Sequence, residues 1–313
     1  LNDPRVDKFL HRFLDYWLQL RDIKLNAPDA SLYTDYYLDE LLTESALRET
    51  RLFVRELVDR DLPARNLIDS DFTFLNERLA AHYDLPAVTG VNPRRVALPE
   101  DSPRGGLLTQ ASVLTVTANG TTTSPVLRGV WIMERIMGVP IEPPPSGIEA
   151  VEPDTRGATT IREQLDLHKQ SVSCNSCHAK FDPAGFALES FDVMGGWQDH
   201  YRAVNNEAVP VPGVGKNGHA YYFHYGQPVD SSGQLPDGRS FEDINEFKAH
   251  LLADERAVAR NLAKQLIVYS TGAPVSFADR LEVERILDQA AAAEYGVRSI
   301  IHAVVQSELF RIK

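Results

Sequence analysis

Cysteine is the scarcest residue of this chain, with two among 313 residues. Two cysteines cannot staple a fold of this length, and a hydrophobic content of 43% can build a core without disulfides. The chain also lacks any run of about 18 apolar residues, which a membrane span would need. Net positive charge is missing too, because the formal net charge is -12. A nucleic-acid-binding face must be basic, so the balance of charge argues against that class of partner.

Several catalytic signatures are absent from the sequence. It contains no glycine loop that would cradle phosphate, no G-x-S-x-G elbow and no H-E-x-x-H pair. The acidic balance mostly serves solubility, and it is also compatible with docking a basic redox partner. The chemistry of the chain is therefore best sought in its two cysteines.

Both cysteines stand in the run Cys174-Asn175-Ser176-Cys177-His178, which is the attachment sequence of a c-type haem. In such a site each thiol adds across one vinyl group of the haem, and the adjacent imidazole becomes the proximal ligand of the iron. The spacing therefore predicts one covalent haem c, held by Cys174 and Cys177, with His178 on the metal. Because only one complete motif exists, one haem per chain is expected.

Three other interpretations of the cysteine pair stay open. A thioredoxin-like redox pair uses the same spacing but normally follows a strand, whereas a helix-like segment precedes Cys174. A structural zinc site would need remote ligands, such as His200, His219 or His224, to complete a tetrahedron. A disulfide between Cys174 and Cys177 would be strained and would close almost no loop.

A covalent haem also indicates a compartment. Attachment takes place after export, so the motif predicts a periplasmic or otherwise exported protein. The chain begins at Leu1 rather than at a methionine, which is expected for a processed protein or for a piece of a longer one.

Apolar residues recur at helical spacing in the first part of the chain. The pattern predicts helices around residues 10–18, over residues 45–59 and over residues 72–83. The β-branched run 112–117 predicts a strand or an extended loop. A further helix is expected to begin at Pro125, since proline is favoured at the first helical position.

The middle of the chain is rich in proline and glycine. An extended strap is predicted at a run of prolines, namely Pro140, Pro143, Pro144 and Pro145. Thr160 and Glu163 form the pattern of a capping box, which opens the helix before the cysteine motif. Residues 203–228 carry many glycine, proline and asparagine residues and predict a long loop.

Four helices are predicted beyond Phe241, with Gly272 and Gly296 as stops. The expected fold is therefore mainly α, with helical modules flanking a loop-rich, cytochrome c-like haem segment. The expected division of the chain is a helical module 1–98, a haem-binding module 99–202, a loop insertion 203–235 and a C-terminal helical module 236–313.

Apolar and soft side chains after the motif are candidates for contacts with the haem. Phe186 and Trp197 could supply apolar surface against the haem. Met194 is the first candidate for the sixth iron ligand, because a thioether opposite His178 raises the potential into the range of electron carriers. The alternative is that Met194 fills a gap in the core. Further ligand candidates are, in order of preference, the pair His219 and His224 and then the pair His168 and His200.

Three classes of function follow from a single haem. The first is an electron-transfer cytochrome with a six-coordinate iron. The second is a haem enzyme with an open distal side for peroxide or dioxygen chemistry, or one that takes electrons from an associated domain. The third is an interaction module in which the haem is structural. Whether the chain is an enzyme is left open by the sequence, as are its substrate, redox potential and oligomeric state.

Several sequence blocks extend beyond the cysteine motif and support a family resemblance. They are residues 74–83, 106–114, 123–131, 173–183, 185–197, 230–238 and 259–262. On these blocks nearly the whole chain resembles the modular, exported cytochrome c proteins abundant in planctomycetes. The resemblance implies an exported, haem-carrying protein with further modules upstream, so that the expected partner is a redox protein or those modules.

Overall fold

The structure is a computed structural model that describes residues 3, 5–143, 154–156, 159–169, 172–204 and 209–312, with the backbone alone at residues 172 and 173. The helices are α1 (Val6–Trp17), α2 (Glu40–Arg60), α3 (Glu77–His82), α4 (Ala111–Val116), α5 (Pro125–Trp131), α6 (Ile161–His168), α7 (Val172–His178), α8 (Asp182–Phe186), α9 (Ile244–Leu252), α10 (Glu255–Thr271), α11 (Arg280–Ala291), α12 (Val297–Gln306) and α13 (Glu308–Ile312). The strands are β1 (Phe72–Leu75), β2 (Arg94–Ala97), β3 (His200–Ala203), β4 (Pro210–Val214), β5 (Ala220–Pro228), β6 (Gly233–Gln234) and β7 (Ser240–Phe241).

Within the described residues the strands form three small antiparallel sheets. β1 pairs with β2, β6 pairs with β7, and the third sheet has the order β3-β5-β4. The prediction of a mainly α fold around a loop-rich haem segment is therefore wrong, because the chain combines helices with sheets. Of the third sheet, β4 and β5 lie in the stretch that was expected to be a loop insertion over residues 203–235, and β3 leads into it.

The composition of this third sheet explains why it was missed. Pro210 and Pro212 lie on β4, which is an edge strand, and an edge strand tolerates the missing N–H of proline. Gly213 pairs with Tyr221, and a Cβ atom at Gly213 would stand 2.3 Å from that tyrosine ring. Residues that signal a loop in the sequence therefore make room here for the aromatic side chains of β5.

Two shorter predictions were also wrong. Residues 112–117 form most of α4 rather than a strand; the hydroxyl of Thr115 donates to the carbonyl of Ala111 at 2.7 Å within the helix. Residues 72–83 divide into β1 and α3, because Asn76 interrupts them. The side chain of Asn76 accepts a hydrogen bond from the backbone N–H of Leu79 and caps α3.

Other local signals were confirmed. α2 covers the predicted helix 45–59, and the capping box of Thr160 and Glu163 opens α6. Gly272 ends α10 with a φ of +69°, in the left-handed region that favours glycine. Beyond Phe241 the described chain forms five helices rather than four, since α13 follows α12 as a separate short helix. Pro144 and Pro145 of the expected strap lie outside the described residues.

One apolar core joins the two ends of the chain with its middle. It contains, among others, Leu14 of α1, Leu188 after α8 and Ile267 of α10, all at most 1% exposed. A second core cluster packs around α3 and α4. We define it by its buried members Leu32, Tyr33, Leu42, Ala46, Leu75, Leu79, Ala80, Tyr83, Val88, Ala111, Ala118, Val193 and Met194.

Candidate functional site

The cysteine motif occupies the short helix α7. Cys174 is half-buried and Cys177 is exposed, and both thiols are free. Residues three and four apart share a face of a helix, so Cys174 lies on the same side as both Cys177 and His178. The helix thus presents two thiols and one imidazole together.

His178 is held by a carboxylate four residues further along the chain, at the start of α8. Its Nδ1 atom lies 2.9 Å from Oδ1 and 3.1 Å from Oδ2 of Asp182. An ionised carboxylate only accepts hydrogen bonds, so the ring proton belongs on Nδ1. The lone pair of Nε2 is then available to bind a metal.

Asp182 is the first residue of α8 and is 2% exposed. Burial raises the pKa of its carboxyl group, while His178 and then Lys169 lower it in part. The Nζ atom of Lys169 lies 3.6 Å from Asp182, but only 2.8 Å from the exposed Asp166. His178 is therefore the closer partner of the buried carboxylate.

The backbone that carries Asp182 is fixed against α5. A Cβ atom at Gly129 would stand 2.0 Å from the carbonyl oxygen of Phe181, and one at Gly185 would stand 1.8 Å from that of Pro125. Both positions thus require glycine, because the backbones of α5 and α8 touch there. This contact fixes the residue that orients His178.

Two rings pack against the imidazole of His178. The ring of Phe181 lies 5.0 Å from it, and the ring of His168 lies edge-on to it at 5.2 Å. The structure therefore brings His168, the last residue of α6, to the motif. Sequence analysis had ranked it among the least favoured ligand candidates.

The two aromatic candidates for the haem wall differ in their surroundings. Phe186 is 3% exposed, and the guanidinium carbon of Arg162 lies 3.8 Å from its ring centre. Lys169, which also approaches Asp182, lies 5.6 Å from the same ring centre. Trp197 is 46% exposed and packs edge-on against Phe191 at 5.4 Å. Phe186 thus shares the neighbour Lys169 with Asp182, whereas Trp197 covers the main core.

Met194 lies in the second core cluster. It is 3% exposed, and its sulfur lies 3.6 Å from the hydroxyl oxygen of Thr115. Its carbonyl oxygen is bonded to Nε2 of His82 at 2.8 Å. Burial lowers the pKa of His82 to about 3, so this imidazole is neutral and donates. The surroundings of Met194 favour the alternative of a packing residue, and its role as an iron ligand stays a prediction.

The remaining candidate histidines belong to the third sheet. His200 begins β3, and His224 is buried in β5 with its ring edge-on to Tyr222. His219 lies in the turn between β4 and β5. In the part of the chain that the structure describes, histidine, cysteine, aspartate and glutamate side chains form no cluster of three or more that could hold a metal ion.

Sequence analysis missed the carboxylate and the buried arginine behind the motif. Asp182 was not among the candidate residues, although its spacing of four residues from His178 is visible in the sequence. Arg128 is fully buried and donates to the carbonyl oxygens of Leu188, Phe191 and Asp192, each at 2.7 Å. The sequence around Arg128 gave no sign of this role, because the three carbonyl groups are 60 or more residues away in the chain.

The surface also carries an open pocket. It is rich in hydroxyl groups and is bounded by Leu32, Tyr33, Thr121, Thr122, Thr123, Asp154, Thr155, Thr159, Thr160, Ile161, Tyr201, Arg202 and Gln227. None of the three motif residues lines it. The pocket therefore does not define the chemistry of the cysteine site.

Three family models match successive parts of the sequence. Residues 1–85 match a protein of unknown function (DUF1592), residues 104–201 match another (DUF1588), and residues 237–310 match a third (DUF1585). Modules of these three kinds are found in planctomycete-type cytochrome c proteins, and they match this chain in the order given. The cysteine motif and Asp182 lie within the second.

No curated protein and no solved structure matches the chain. Among the described helices, none is both long enough and apolar enough to cross a membrane.

Proposed function

We propose that this protein binds one haem c covalently through Cys174 and Cys177, with His178 as an iron ligand, and uses it for single-electron transfer. The observation that carries the proposal is the arrangement on α7, where two free thiols share a short helix with an imidazole. The Nδ1 atom of that imidazole is already engaged by Asp182, so Nε2 is the available donor.

The donor set fits a c-type haem. Thioether formation requires reduced thiols, and both cysteines are free. A haem iron takes an imidazole nitrogen as its proximal ligand, and His178 offers Nε2. When bound, haem supplies a one-electron Fe(III)/Fe(II) couple. Cys174 and Cys177 would hold it through thioether bonds, and His178, oriented by Asp182, would offer Nε2 to the iron.

The proposal implies a compartment and a type of partner. Covalent haem attachment takes place after export, which favours a periplasmic or otherwise exported location. The net charge of -12 favours docking of a basic redox protein, because opposite charge accelerates encounter. The planctomycete-type modules support the same reading, although their descriptions state no function.

A second candidate is a haem-dependent oxidoreductase with an open distal site for peroxide or dioxygen. The specific observation in its favour is the environment of Met194. Its sulfur is buried in the second core cluster, 3.6 Å from the hydroxyl oxygen of Thr115, so the first candidate for a sixth ligand is packed in the core. An iron without a strong sixth ligand leaves its distal side accessible.

Optical spectra of the haem-loaded protein separate the two candidates. An electron carrier is expected to give six-coordinate, low-spin spectra and to leave carbon monoxide unbound in the ferrous state. Met194→Ala tests the ligand directly, and Met133→Ala serves as a methionine control from the main core. Ready binding of carbon monoxide by the wild-type protein would contradict electron transfer and favour the open-site enzyme. If the protein is a carrier and Met194→Ala leaves its spectrum unchanged, the histidines become the next candidates for the sixth iron ligand.

A further inference from the structure

We propose that Asp182 is a positioning residue for the haem iron: its carboxylate holds the proton of His178 on Nδ1, turns Nε2 toward the metal and stabilises Fe(III). The inference rests on the proposed function, because it assigns a role to the residue behind the proposed iron ligand. It goes further in that it names the group that sets the redox potential.

The hydrogen-bond geometry supports this role. Both carboxylate oxygens face the imidazole, at 2.9 and 3.1 Å from Nδ1 of His178. A hydrogen bond from the ring nitrogen that does not bind the metal fixes the orientation of a metal-bound histidine. It also makes the metal-binding nitrogen a stronger donor. A stronger donor favours the more highly charged oxidation state of the metal. We therefore expect Asp182 to lower the potential of the couple.

The surroundings of Asp182 distinguish this pair from an ordinary surface ion pair. The side chain of Asp182 is 3% exposed, and that of His178 is 14% exposed. A charge interaction at such a site is screened much less than one in water. The cationic side chain that approaches Asp182 is Lys169, whose Nζ atom lies 3.6 Å away and closer to Asp166. The negative charge of Asp182 therefore acts mainly on the imidazole.

The backbone contact between α5 and α8 makes the arrangement rigid. Gly129 lies directly against the carbonyl group of Phe181, the residue before Asp182. The ring of Phe181 packs on His178 from the same segment. The carboxylate and the ring are thus positioned together, which is the condition for tuning a bound metal through its ligand.

A pair of isosteric variants tests the inference. Asp182→Asn keeps the shape and one acceptor oxygen but removes the negative charge beside His178. Asp166→Asn is the matched control, because it removes the same charge from the other partner of Lys169 without touching the histidine. Both variants are measured as the full chain with its haem, at one pH, by potentiometric titration.

Loss of an outer-shell partner typically costs about 10–100-fold in metal affinity or activity. We expect Asp182→Asn to favour Fe(II) by about tenfold, equivalent to an upward shift of about 59 mV in a one-electron potential. Asp166→Asn is expected to shift it by much less. Equal potentials in the wild-type protein and Asp182→Asn, at equal haem content, would overturn the role of Asp182 while leaving the proposed function intact. A wild-type protein without covalent haem would overturn both.

A measurement on the wild-type protein covers the case in which Asp182→Asn does not fold. Nitrogen-15 NMR of the haem-free chain reports which ring nitrogen of His178 carries the proton. The inference predicts the tautomer protonated at Nδ1, and the tautomer protonated at Nε2 would overturn it. This readout does not depend on haem attachment, so it tests the pair independently of the proposed function.

Discussion

The carboxyl group of Glu49 is 1% exposed and accepts hydrogen bonds from the hydroxyl groups of Thr73 and Tyr83, each at 2.6 Å. Burial raises its pKa to about 7, although both hydrogen bonds and the charge of Arg104 offset part of the effect. The side chain of Tyr83 also connects this carboxyl to α4, since its oxygen accepts from the backbone N–H of Ala111. Glu49 thus makes the packing of Tyr83, a member of the second core cluster, sensitive to pH.

The raised pKa of Glu49 predicts a loss of stability with rising pH. The folded state holds the proton up to about pH 7, whereas the unfolded chain releases it near the ordinary value of 4.5. As the pH rises from 4.5 to about 7, the carboxyl group should therefore lower the free energy of unfolding by about 3 kcal/mol. Above about pH 7 it should cause no further loss of stability.

The variant Glu49→Gln isolates this contribution. His82 acts in the opposite direction, because its lowered pKa weakens the fold as pH falls. The quantity to measure is thus the difference in unfolding free energy between the wild-type protein and Glu49→Gln in urea, from pH 4.5 to 7.5. The variant should gain relative stability as pH rises. A difference that stays constant with pH would contradict the assignment.

At the level of secondary-structure elements, the contact of α5 with α8 positions the cysteine site. Gly129 and Gly185 allow the two helices to meet backbone to backbone. Arg128, next to Gly129, binds three carbonyl groups after α8 and fixes the following turn. Asp182 therefore owes its position to α5, which lies about 50 residues earlier in the chain.

Gly129→Ala should destabilise the protein even though alanine is the better helix former. The helix itself would gain about 1 kcal/mol, but the new methyl group would stand 2.0 Å from the carbonyl oxygen of Phe181. Overpacking of this kind costs roughly 1–3 kcal/mol, so the net change should be destabilising.

Leu127→Ala on the same helix is the control, since Leu127 is 51% exposed and should change stability by about 0.5 kcal/mol or less. Urea unfolding of both variants measures the two effects. A Gly129→Ala protein as stable as the wild type would show that the helices can separate without cost.

The same elements show what the sequence could predict. α1, α2 and the capping box of α6 were found because their signals are local, in apolar spacing and in the Thr160–Glu163 pair. The third sheet was missed because β4 is specified by its pairing with β5, and its prolines suit only an edge strand. In the site, the motif is local and was found. Asp182 was missed because its burial depends on α5.

At the level of the whole molecule, the three matched modules share one core. A single carbonyl group, that of Arg135 in the second module, accepts hydrogen bonds from Trp17 of the first at 2.7 Å and from Asn261 of the third at 2.6 Å. The carboxylate of Asp61, at the end of α2, caps the first turn of α12 through Ser299. The module boundaries seen in sequence are therefore not boundaries between independent cores.

This shared core predicts that the full chain unfolds in one cooperative step. Circular dichroism and tryptophan fluorescence should give coincident urea transitions. A fragment of residues 1–236 lacks α9 to α13. It should show no cooperative transition, because the loss of these helices exposes the apolar faces of α1 and α2. Independent folding of the fragment, or two separated transitions in the full chain, would contradict a single core.

The central claim is tested most directly by the intact mass of the chain after export in a host with haem-attachment machinery. The control is the double variant Cys174→Ser, Cys177→Ser, which keeps His178 and Asp182. The account predicts a wild-type mass greater than that of the polypeptide by one haem, with a matching pyridine haemochrome, and a bare polypeptide for the variant. A wild-type chain with the mass of the bare polypeptide would contradict it.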